Sequence, residues 1–278
     1  MTRKTINNRT DIADKHFKKL SIQVSLNGLS FCVADTVTQH LIISDAVVFS
    51  EEMNPMTLQA ELVKLFKKHN LEQMAFDEVI TVHRNTLFGL VPKSLFNEDN
   101  LLEYLKFNTK VLANDVLAYD EVENQDLIIV YVPYMNVNNY IYDLFGEFTY
   151  MHNSTVLLQS LMNNLNQDQE PVCYIHVKEV QMDVTVLNLR KLILYNSFTY
   201  STKEDFIYYV LFVLEQLNLD PKTTNVRVFG TIDQDDPIFQ LCHTYIKHLS
   251  IFTPTIPSSI NMESPFTSTM DFTLINTL

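Results

Sequence analysis

His176 and Lys178 are the pair of side chains whose types and spacing best suit phosphate chemistry. The surrounding stretch, Val172 to Val177, is rich in apolar and β-branched residues and predicts a β-strand, on which residues two apart face the same side. A histidine and a lysine on one strand face would bind an anion or assist hydrolysis. The same pair also suits a solvated strand face, and the spacing alone favours this second interpretation.

The acidic and histidine clusters do not have the spacing of metal sites. Three acids resemble the start of a calcium loop, namely Asp233, Asp235 and Asp236. The pattern lacks the interior glycine and the closing glutamate of such a loop, and the acids predict a helix cap instead. His243 and His248 are five residues apart on a predicted helix, whereas a helical zinc pair needs four. No metal site is predicted.

Two further groups of residues have side chains of types that occur in catalytic sites. Four acids crowd a polar strand and turn: Asp115, Asp120, Glu121 and Glu123. Their polar context predicts solvated charge rather than an acid–base pair. Three cysteines lie far apart in apolar contexts: Cys32, Cys173 and Cys242. They predict reduced thiols in a core, without disulfides and without a catalytic cysteine.

Composition limits the partners of the chain. The 278 residues include 33 acidic and 20 basic side chains, so the formal net charge is −13 and the average surface repels phosphate backbones and anionic lipids. Nucleic acid is not expected as a partner. No apolar run approaches the roughly 20 residues of a membrane-spanning helix, and the start of the chain carries no apolar signal core. The sequence therefore predicts a cytoplasmic protein without membrane insertion.

The first half of the chain predicts three strands, a helix and a fourth strand. The strands are Leu20 to Ser25, Leu29 to Ala34, Leu41 to Phe49 and Glu78 to His83. A tight turn at Asn27-Gly28 is predicted between the first two strands. The helix has Asn54 as N-cap and Pro55 at its first position.

The second half predicts the same order. Its strands are Val172 to Val177, Asp183 to Asn188, Lys191 to Phe198 and Asn225 to Gly230. Thr202 and Asp205 predict a capping box that opens a helix reaching about Leu217. The interior of this helix, Phe206 to Leu214, is apolar almost all round, which predicts burial on most faces.

The two halves match residue against residue. Pairing Ile22 with Ile175 and Phe31 with Val184 gives a separation of about 153 residues, which falls to about 147 in the last strand. Five matched elements in one order indicate an internal duplication of a β-β-β-α-β unit. Two unrelated α/β domains that share this order are the alternative.

Between the halves, the sequence predicts a small β-β-α-β insertion that belongs to the first lobe and is preceded by a helix at Leu95 to Phe107. The predicted organisation is a polar N-terminal arm at 1–18, a first lobe at 19–107, the insertion at 108–152, a second lobe at 153–252 and a tail rich in Pro, Ser and Thr at 253–278. The tail predicts disorder up to Asp271. The last residues, 272–278, could dock on the body.

Two such units in tandem, with an insertion in the first, resemble the ribonuclease-H-like duplication of the actin, hexokinase and chaperone ATPase superfamily. The insertion looks most like that of the bacterial cell-division and pilus-assembly actin homologues. The resemblance implies an α/β fold with two ribonuclease-H-like lobes in tandem, the actin-like ATPase fold, and a small α+β insertion in the first lobe.

At a closer level, four stretches are similar to an uncharacterised Bacteroidetes family, the domain of unknown function 3822. They are KLSIQVSLNGLSFCV, LVPKSLFNEDNLLEYLKFNTKVL, YVPYMNVNNYIYDLFGEFTYMHNSTVL and YNSFTYSTKEDFIYYVLF. The similarity covers nearly the whole chain. It implies no activity, because the family has none established.

In the wider superfamily, each lobe ends its first strand with an aspartate, an apolar residue and a glycine. The aspartate serves Mg²⁺ or its waters, and the glycine lets backbone N–H groups approach the phosphates. The matching positions here are Val24 to Asn27 and Ile175 to Lys178, which hold neither the acid nor the glycine. Ser25 and His176 therefore stand where the resemblance requires acids. Asn27-Gly28 keeps a glycine one step later, so a shifted loop could still accept an anion.

Glycine is scarce throughout the chain, which contains only Gly28, Gly89, Gly146 and Gly230. Where the superfamily uses a Gly-Gly pair for adenosine, after the last strand of the second lobe, this sequence has the single Gly230. No Walker-type or dinucleotide fingerprint is present. The degenerate phosphate-site positions are Ser25, Asn27, Gly28, His176, Lys178 and Gly230.

Tyrosines crowd the insertion, where we find Tyr131, Tyr134, Tyr140, Tyr142 and Tyr150. Tyrosine combines apolar area with a polar tip and is favoured at protein interfaces, so the group is a candidate partner surface. Packing in the core is the alternative for each tyrosine taken singly.

Three functions follow as hypotheses. The first is a non-catalytic actin-like protein, a pseudo-ATPase, that binds or scaffolds another protein and needs no cofactor. The second is a nucleotide-binding protein or slow ATPase that holds ATP and Mg²⁺ at a rearranged phosphate site in the cleft between the lobes. The third is a small-molecule binding domain with an apolar cleft. Partner identity and oligomeric state stay open.

Overall fold

The computed structural model describes residues 17–38, 40–107, 109–123, 125–163, 170–253 and 271–278. Nearly all of the expected N-terminal arm, and residues 254–270 of the tail with their expected disorder, lie outside these ranges. The described residues form two compact units, one within 1–160 together with the C-terminal residues and the other within 161–255. Each unit is built around a five-stranded sheet.

The first unit contains the following elements in chain order: β1 (Lys18–Ser25), β2 (Gly28–Asp35), β3 (Leu41–Val48), α1 (Pro55–Lys68), β4 (Glu78–His83), β5 (Phe88–Pro92), α2 (Leu101–Leu105), β6 (Ala118–Val122), β7 (Leu127–Tyr131), α3 (Met135–Phe145), β8 (Thr149–His152) and α4 (Asn153–Asn163), which ends just beyond the unit. The main sheet has the order β3-β2-β1-β4-β8. Its first three strands are antiparallel, whereas β4 and β8 run parallel to β1.

The core of the first unit lies between this sheet and two helices. Leu20, Ile22 and Val24 alternate along β1 and are fully buried against α1 and α3. Asn54 caps α1 by accepting a hydrogen bond from the backbone of Thr57 at 2.9 Å, as the sequence predicted. The amphipathic pattern of α1 thus fixes which face of the sheet it covers.

The insertion lies earlier in the chain than expected. It is a three-stranded sheet of order β5-β7-β6 with α2 packed on it. β8 and α3, which the sequence placed in the insertion, belong to the first unit's main sheet and core instead. The helix expected at Leu95 to Phe107 is shorter than predicted and consists of α2 with two preceding 3₁₀ turns. Leu95 and Phe107 are exposed, so they contribute no packing that would stabilise a longer helix.

The second unit repeats the architecture with β9 (Val172–Lys178), β10 (Gln181–Asn188), β11 (Lys191–Thr199), α5 (Lys203–Gln216), β12 (Asn225–Gly230), α6 (Pro237–Tyr245) and β13 (His248–Ile251). The sheet order, β11-β10-β9-β12-β13, is that of the first unit. The predicted duplication and fold class are therefore confirmed. β13 was missed, and His248 lies on this strand rather than on a helix.

Helix α5 starts at the predicted capping box, in which Thr202 and Asp205 exchange side-chain to backbone hydrogen bonds. Most of its interior, Phe206 to Leu214, is buried or partly buried, as the sequence predicted, and one stripe is the exception. Tyr208 and Phe212 lie on its outer face with 62% and 42% of their surface exposed, and their rings stack on each other. One turn of helix separates the two residues, so a single apolar stripe faces solvent.

The chain ends in a four-residue helix, α7 (Phe272–Ile275), which belongs to the first unit and contacts β1 and β2. It covers the face of these strands opposite to α1. Phe272, Leu274 and Ile275 are buried there. The end of the chain therefore docks on the first unit.

Candidate functional site

The first of the two loops that would face a nucleotide joins β1 and β2. Ser25 pairs with Gly28, so the turn consists of Leu26 and Asn27. The predicted turn at Asn27-Gly28 is displaced by one residue, and Gly28 opens β2.

Ser25 closes this turn on itself. Its Oγ accepts a hydrogen bond from the backbone N–H of Asn27 at 3.2 Å and donates to the carbonyl oxygen of Gly28 at 3.1 Å. The turn carbonyls of Leu26 and Asn27 accept hydrogen bonds from the residues after β3. Ser25 is 5% exposed. The serine hydroxyl therefore stabilises the hairpin. It already accepts the hydrogen bond of the Asn27 backbone N–H, which a bound anion would need.

The equivalent loop of the second unit joins β9 and β10. Lys178 pairs with Gln181, which leaves Glu179 and Val180 in the turn. Glu179 has a positive φ of 48°, and its carbonyl accepts a hydrogen bond from the Tyr200 hydroxyl at 2.8 Å. This turn contains an acid but lacks the glycine that suits a left-handed backbone.

The pairing corrects the alignment of the two loops. Ser25 precedes the first turn and Lys178 precedes the second, so these two residues correspond to each other. His176 corresponds to Gln23, because His176 pairs with Asp183 as Gln23 pairs with Ser30. The prediction that Ser25 and His176 are equivalent was wrong by two residues.

His176 is buried rather than solvated. It is 1% exposed, its Nδ1 lies 3.4 Å from Oδ2 of Asp183, and its ring stacks on Phe229 with centroids 5.0 Å apart. The other oxygen of Asp183 accepts a hydrogen bond from the Ser197 hydroxyl at 2.7 Å. The sequence did not predict a role for Asp183, whose only signal is an acid near the start of a predicted strand.

Gly230 ends β12 directly against β9. Its φ is +100°, and an added Cβ would lie 2.1 Å from the carbonyl oxygen of Val177. The same carbonyl accepts a hydrogen bond from the backbone of Thr231 at 2.8 Å. Close approach of two strands therefore accounts for this glycine, which the resemblance had assigned to an adenosine contact.

The tyrosines do not form one surface. Tyr131 is fully buried and Tyr134 is 7% exposed, so both belong to the core and the prediction of a partner surface is wrong for them. Tyr140 and Tyr150 are half-buried, and the Tyr140 hydroxyl donates to Glu72 at 2.9 Å. Tyr142 alone is largely exposed, at 59%.

Asp120 joins the insertion to the start of α4. Its Oδ2 accepts hydrogen bonds from the His152 backbone at 2.7 Å and from the Thr155 hydroxyl at 2.8 Å, while the Tyr131 hydroxyl donates to Oδ1 at 3.2 Å. Burial raises the pKa of Asp120 to about 6, although these donors lower it. The expected solvated charge is therefore wrong for Asp120, which binds the residues at the start of α4 from a strand of the insertion.

His83 ends β4 and holds the first turn of α3. Its Nε2 lies 2.9 Å from Oδ1 of Asn138, and its Nδ1 accepts a hydrogen bond from the Tyr134 backbone at 3.2 Å. These contacts fit the neutral ring with a proton on Nε2. Burial lowers the pKa of His83 to about 4.

Other sequence expectations concern thiols, caps, metals and membranes. All three cysteines are free and buried, and burial raises each thiol pKa. Asp236 caps α6 by accepting a hydrogen bond from the backbone of Ile238 at 2.7 Å.

Within the described ranges, no group of three or more His, Cys, Asp and Glu side chains is arranged to hold a metal ion. Nor does any helix in that part of the chain have the length and apolarity to span a bilayer.

The two sheets, their identical strand order and their tandem connection define the actin-like ATPase fold. A Bacteroides thetaiotaomicron protein with this fold and unknown function is similar to the chain, with a TM-score of 0.74 and 20% identity over 91% of this chain and 96% of that one. A structure of the PilM-PilN type IV pilus biogenesis complex matches with a TM-score of 0.58 and 11% identity over 85% and 88% of the two chains. At these identities the likeness establishes the fold alone.

The particular family follows from the sequence. The family described as protein of unknown function, DUF3822, matches residues 7–249, and the chain belongs to it. None of the curated proteins matches the chain. The resemblance proposed from the sequence is thus confirmed at the level of both family and fold.

Proposed function

We propose that this chain is a non-catalytic actin-like protein that binds or scaffolds another protein. The loop between β1 and β2 carries the proposal. Ser25, not an acid, ends the strand, and its hydroxyl bonds Asn27 and Gly28 within the turn. A metal-bound phosphate needs a carboxylate and open backbone N–H groups at this place. The loop supplies neither the charge nor the Asn27 amide.

Several further observations support the proposal. His176 is paired with Asp183 in a buried network, so it is poorly placed to meet a phosphate. The net charge of −13 favours a basic protein over nucleic acid as the partner. Among proteins of similar fold, PilM occurs in a complex with PilN. We further propose that the chain needs no cofactor and works in the cytoplasm, where its three buried thiols stay reduced.

Isothermal titration of the purified full chain with ATP and with ADP, each with Mg²⁺, tests the loss of nucleotide binding. We expect no binding heat at ligand concentrations up to about 1 mM. A micromolar dissociation constant for either nucleotide would overturn the non-catalytic proposal.

The proposed binding to another protein is tested separately, at the exposed side chain of Tyr142. Affinity capture from host cells followed by mass spectrometry supplies candidate partners, each of which is then titrated as a purified protein. We expect Tyr142→Ser to weaken the binding of the true partner at least tenfold. Tyr245→Ser is the matched control, because Tyr245 on α6 is exposed to 55%. Equal effects of the two changes would contradict a partner surface at Tyr142.

A second candidate function is nucleotide binding at a rearranged site, and the second turn favours it. Lys178 and Glu179 place a base and an acid side by side at the end of β9. Asn27, Gly28 and His176 were also among the degenerate phosphate-site positions. Asn27 lies in a turn, Gly28 in a strand and His176 in a buried pair with Asp183. If titration detects ATP, Lys178→Ala and Glu179→Gln should each lower its affinity at least tenfold. Unchanged affinity would remove this candidate.

A further inference from the structure

The C-terminal segment, Asp271–Leu278, occupies a defined place on the first unit. It lies on the face of β1 and β2 that carries small and polar side chains, among them Ser21, Ser30 and Cys32. Thr273 is fully buried and Leu274 is 1% exposed. The small side chains of the face let the segment lie close to the sheet, so the contact has the burial of a protein core.

One side chain of the sheet recognises the segment through hydrogen bonds at both ends. The Gln23 amide nitrogen donates to Oδ2 of Asp271 at 3.1 Å, and Oε1 of Gln23 lies 2.5 Å from the Thr273 hydroxyl. Oδ1 of Asp271 also accepts a hydrogen bond from the backbone of Thr273 at 2.8 Å. Gln23 is 2% exposed. Without the segment, both ends of this amide would lose these partners.

The face therefore has the properties of a peptide-binding site. It recognises an acid, a threonine two residues later and the apolar residues that follow the threonine. The chain's own C-terminal segment satisfies these contacts. A second copy of the chain presents the same segment, with the same side chains at the same spacing.

The length of the connection does not confine the segment to its own chain. Residues 254–270 separate the end of the second unit from Asp271. Seventeen residues span up to about 60 Å when extended, whereas a unit of this size has a radius of gyration of about 16 Å. Docking within one chain is favoured by an effective concentration in the millimolar range, so exchange between chains needs release of the resident segment or a high protein concentration.

We propose that the face of β1 and β2 is an exchange site, which takes the C-terminal segment of a second copy and so links two chains. The proposal concerns self-association and does not depend on the proposed partner protein. It requires that a chain whose face of β1 and β2 is unoccupied binds the released C-terminal segment of another chain.

Two full-length variants provide these states. Gln23→Glu keeps the size of the side chain but sets a carboxylate against Asp271, which releases the segment. Leu274→Asp places a charge at a buried position of the segment and leaves the face open. Size-exclusion chromatography with light scattering is run on each variant and on their equimolar mixture. We expect a mixed dimer that neither variant forms alone, and a mixture that forms none, with both variants folded by circular dichroism, would overturn the proposal.

A rescue variant separates specific recognition from general instability. In the double variant Gln23→Glu with Asp271→Asn, the new amide donates to the new carboxylate, so the segment docks again in its own chain. We expect this variant to remove the mixed dimer. Persistence of the dimer would contradict recognition through Gln23 and Asp271.

A synthetic peptide gives a test that does not depend on the folding of the variants. A labelled peptide of residues 271–278 is added to the wild-type chain at up to about 1 mM, the range of the effective concentration. We expect hydrogen exchange of the resident segment to rise as the peptide displaces it, and a scrambled peptide to have no effect. Unchanged exchange of the resident segment would overturn the proposal. In fluorescence anisotropy, the same peptide should bind Leu274→Asp at least tenfold more tightly than Gln23→Glu.

Discussion

Gly230 and Val177 approach each other so closely that a Cβ atom on the glycine would lie 2.1 Å from the valine carbonyl oxygen. Gly230 also has a φ of +100°, so an alanine there meets both a clash with rigid backbone and an unfavourable conformation. We expect Gly230→Ala to lower the free energy of unfolding by about 2–4 kcal/mol in urea titrations.

Gly146 provides the matched control for this change. Its φ of +75° is also unfavourable for alanine, but a Cβ there would meet no atom within 4 Å. Its ψ of −138° makes this conformation one that glycine adopts and alanine avoids, so we expect Gly146→Ala to cost about 1–3 kcal/mol from the backbone alone, and less than Gly230→Ala. Equal losses at the two glycines would show that the contact with Val177 is not the cause.

The turn between β10 and β11 offers a stabilising substitution. Leu189 and Arg190 form this two-residue turn with φ of 48° and 67°, a conformation that favours asparagine and glycine. Leu189 is 66% exposed, so little packing is lost on its replacement. We expect Leu189→Asn to raise the free energy of unfolding by about 0.5–1 kcal/mol, because asparagine adopts the left-handed conformation at a lower cost than leucine. Leu95→Asn, at a site 70% exposed, should give no such gain, and equal gains would contradict the conformational argument.

His83 makes stability fall in acid. Its pKa is about 4 in the folded protein and about 6.5 in the unfolded chain, so the unfolded chain binds more protons between these values. The stability that the neutral ring supports is therefore lost as pH falls from about 6.5 towards 4. We expect His83→Gln to flatten the dependence of unfolding free energy on pH in this window. His243→Gln, at an exposed site on α6, should leave the slope nearer to that of the wild type.

Asp120 acts in the opposite direction. Burial raises its folded pKa to about 6 from 3.8, so the folded protein binds the additional proton between these values. Its contribution to stability falls as pH rises through this window. We expect Asp120→Asn to gain stability relative to the wild type between about pH 4 and pH 6, because the amide carries no charge to desolvate. Glu121→Gln, on the same strand but exposed, should show a smaller difference, and a larger one would refute the assignment to Asp120.

Local signals predicted the parts of the fold that depend on neighbouring residues. The caps at Asn54, Thr202 and Asp236 are confirmed, since each one needs only a side chain and the backbone two or three residues on. The order of the strands in the two halves was also predicted, because alternation and turns repeat along the chain. The strands β5 and β13 were missed, because β5 contains Gly89 and Pro92, which are untypical of strands, and β13 follows so closely after α6 that His248 was assigned to the helix.

The phosphate-loop alignment failed for a reason that lies in strand geometry. Side chains on a strand alternate with a period of two, so a shift by two residues leaves every side chain on its own face. The apolar pattern therefore fits Ser25 to His176 as well as it fits Ser25 to Lys178. Only the pairing across each hairpin separates the two alignments. Burial of Asp183 was equally hidden, since it depends on His176 and Ser197 from neighbouring strands.

The face of β1 and β2 is synthesised before the C-terminal segment that docks on it. Gln23 leaves the ribosome early, but Asp271 follows only after roughly 250 further residues, or about 12–50 s at 5–20 residues per second. During this interval the face of β1 and β2 has no segment from its own chain. The first unit therefore begins to form first, yet it is completed only after the second unit has been synthesised.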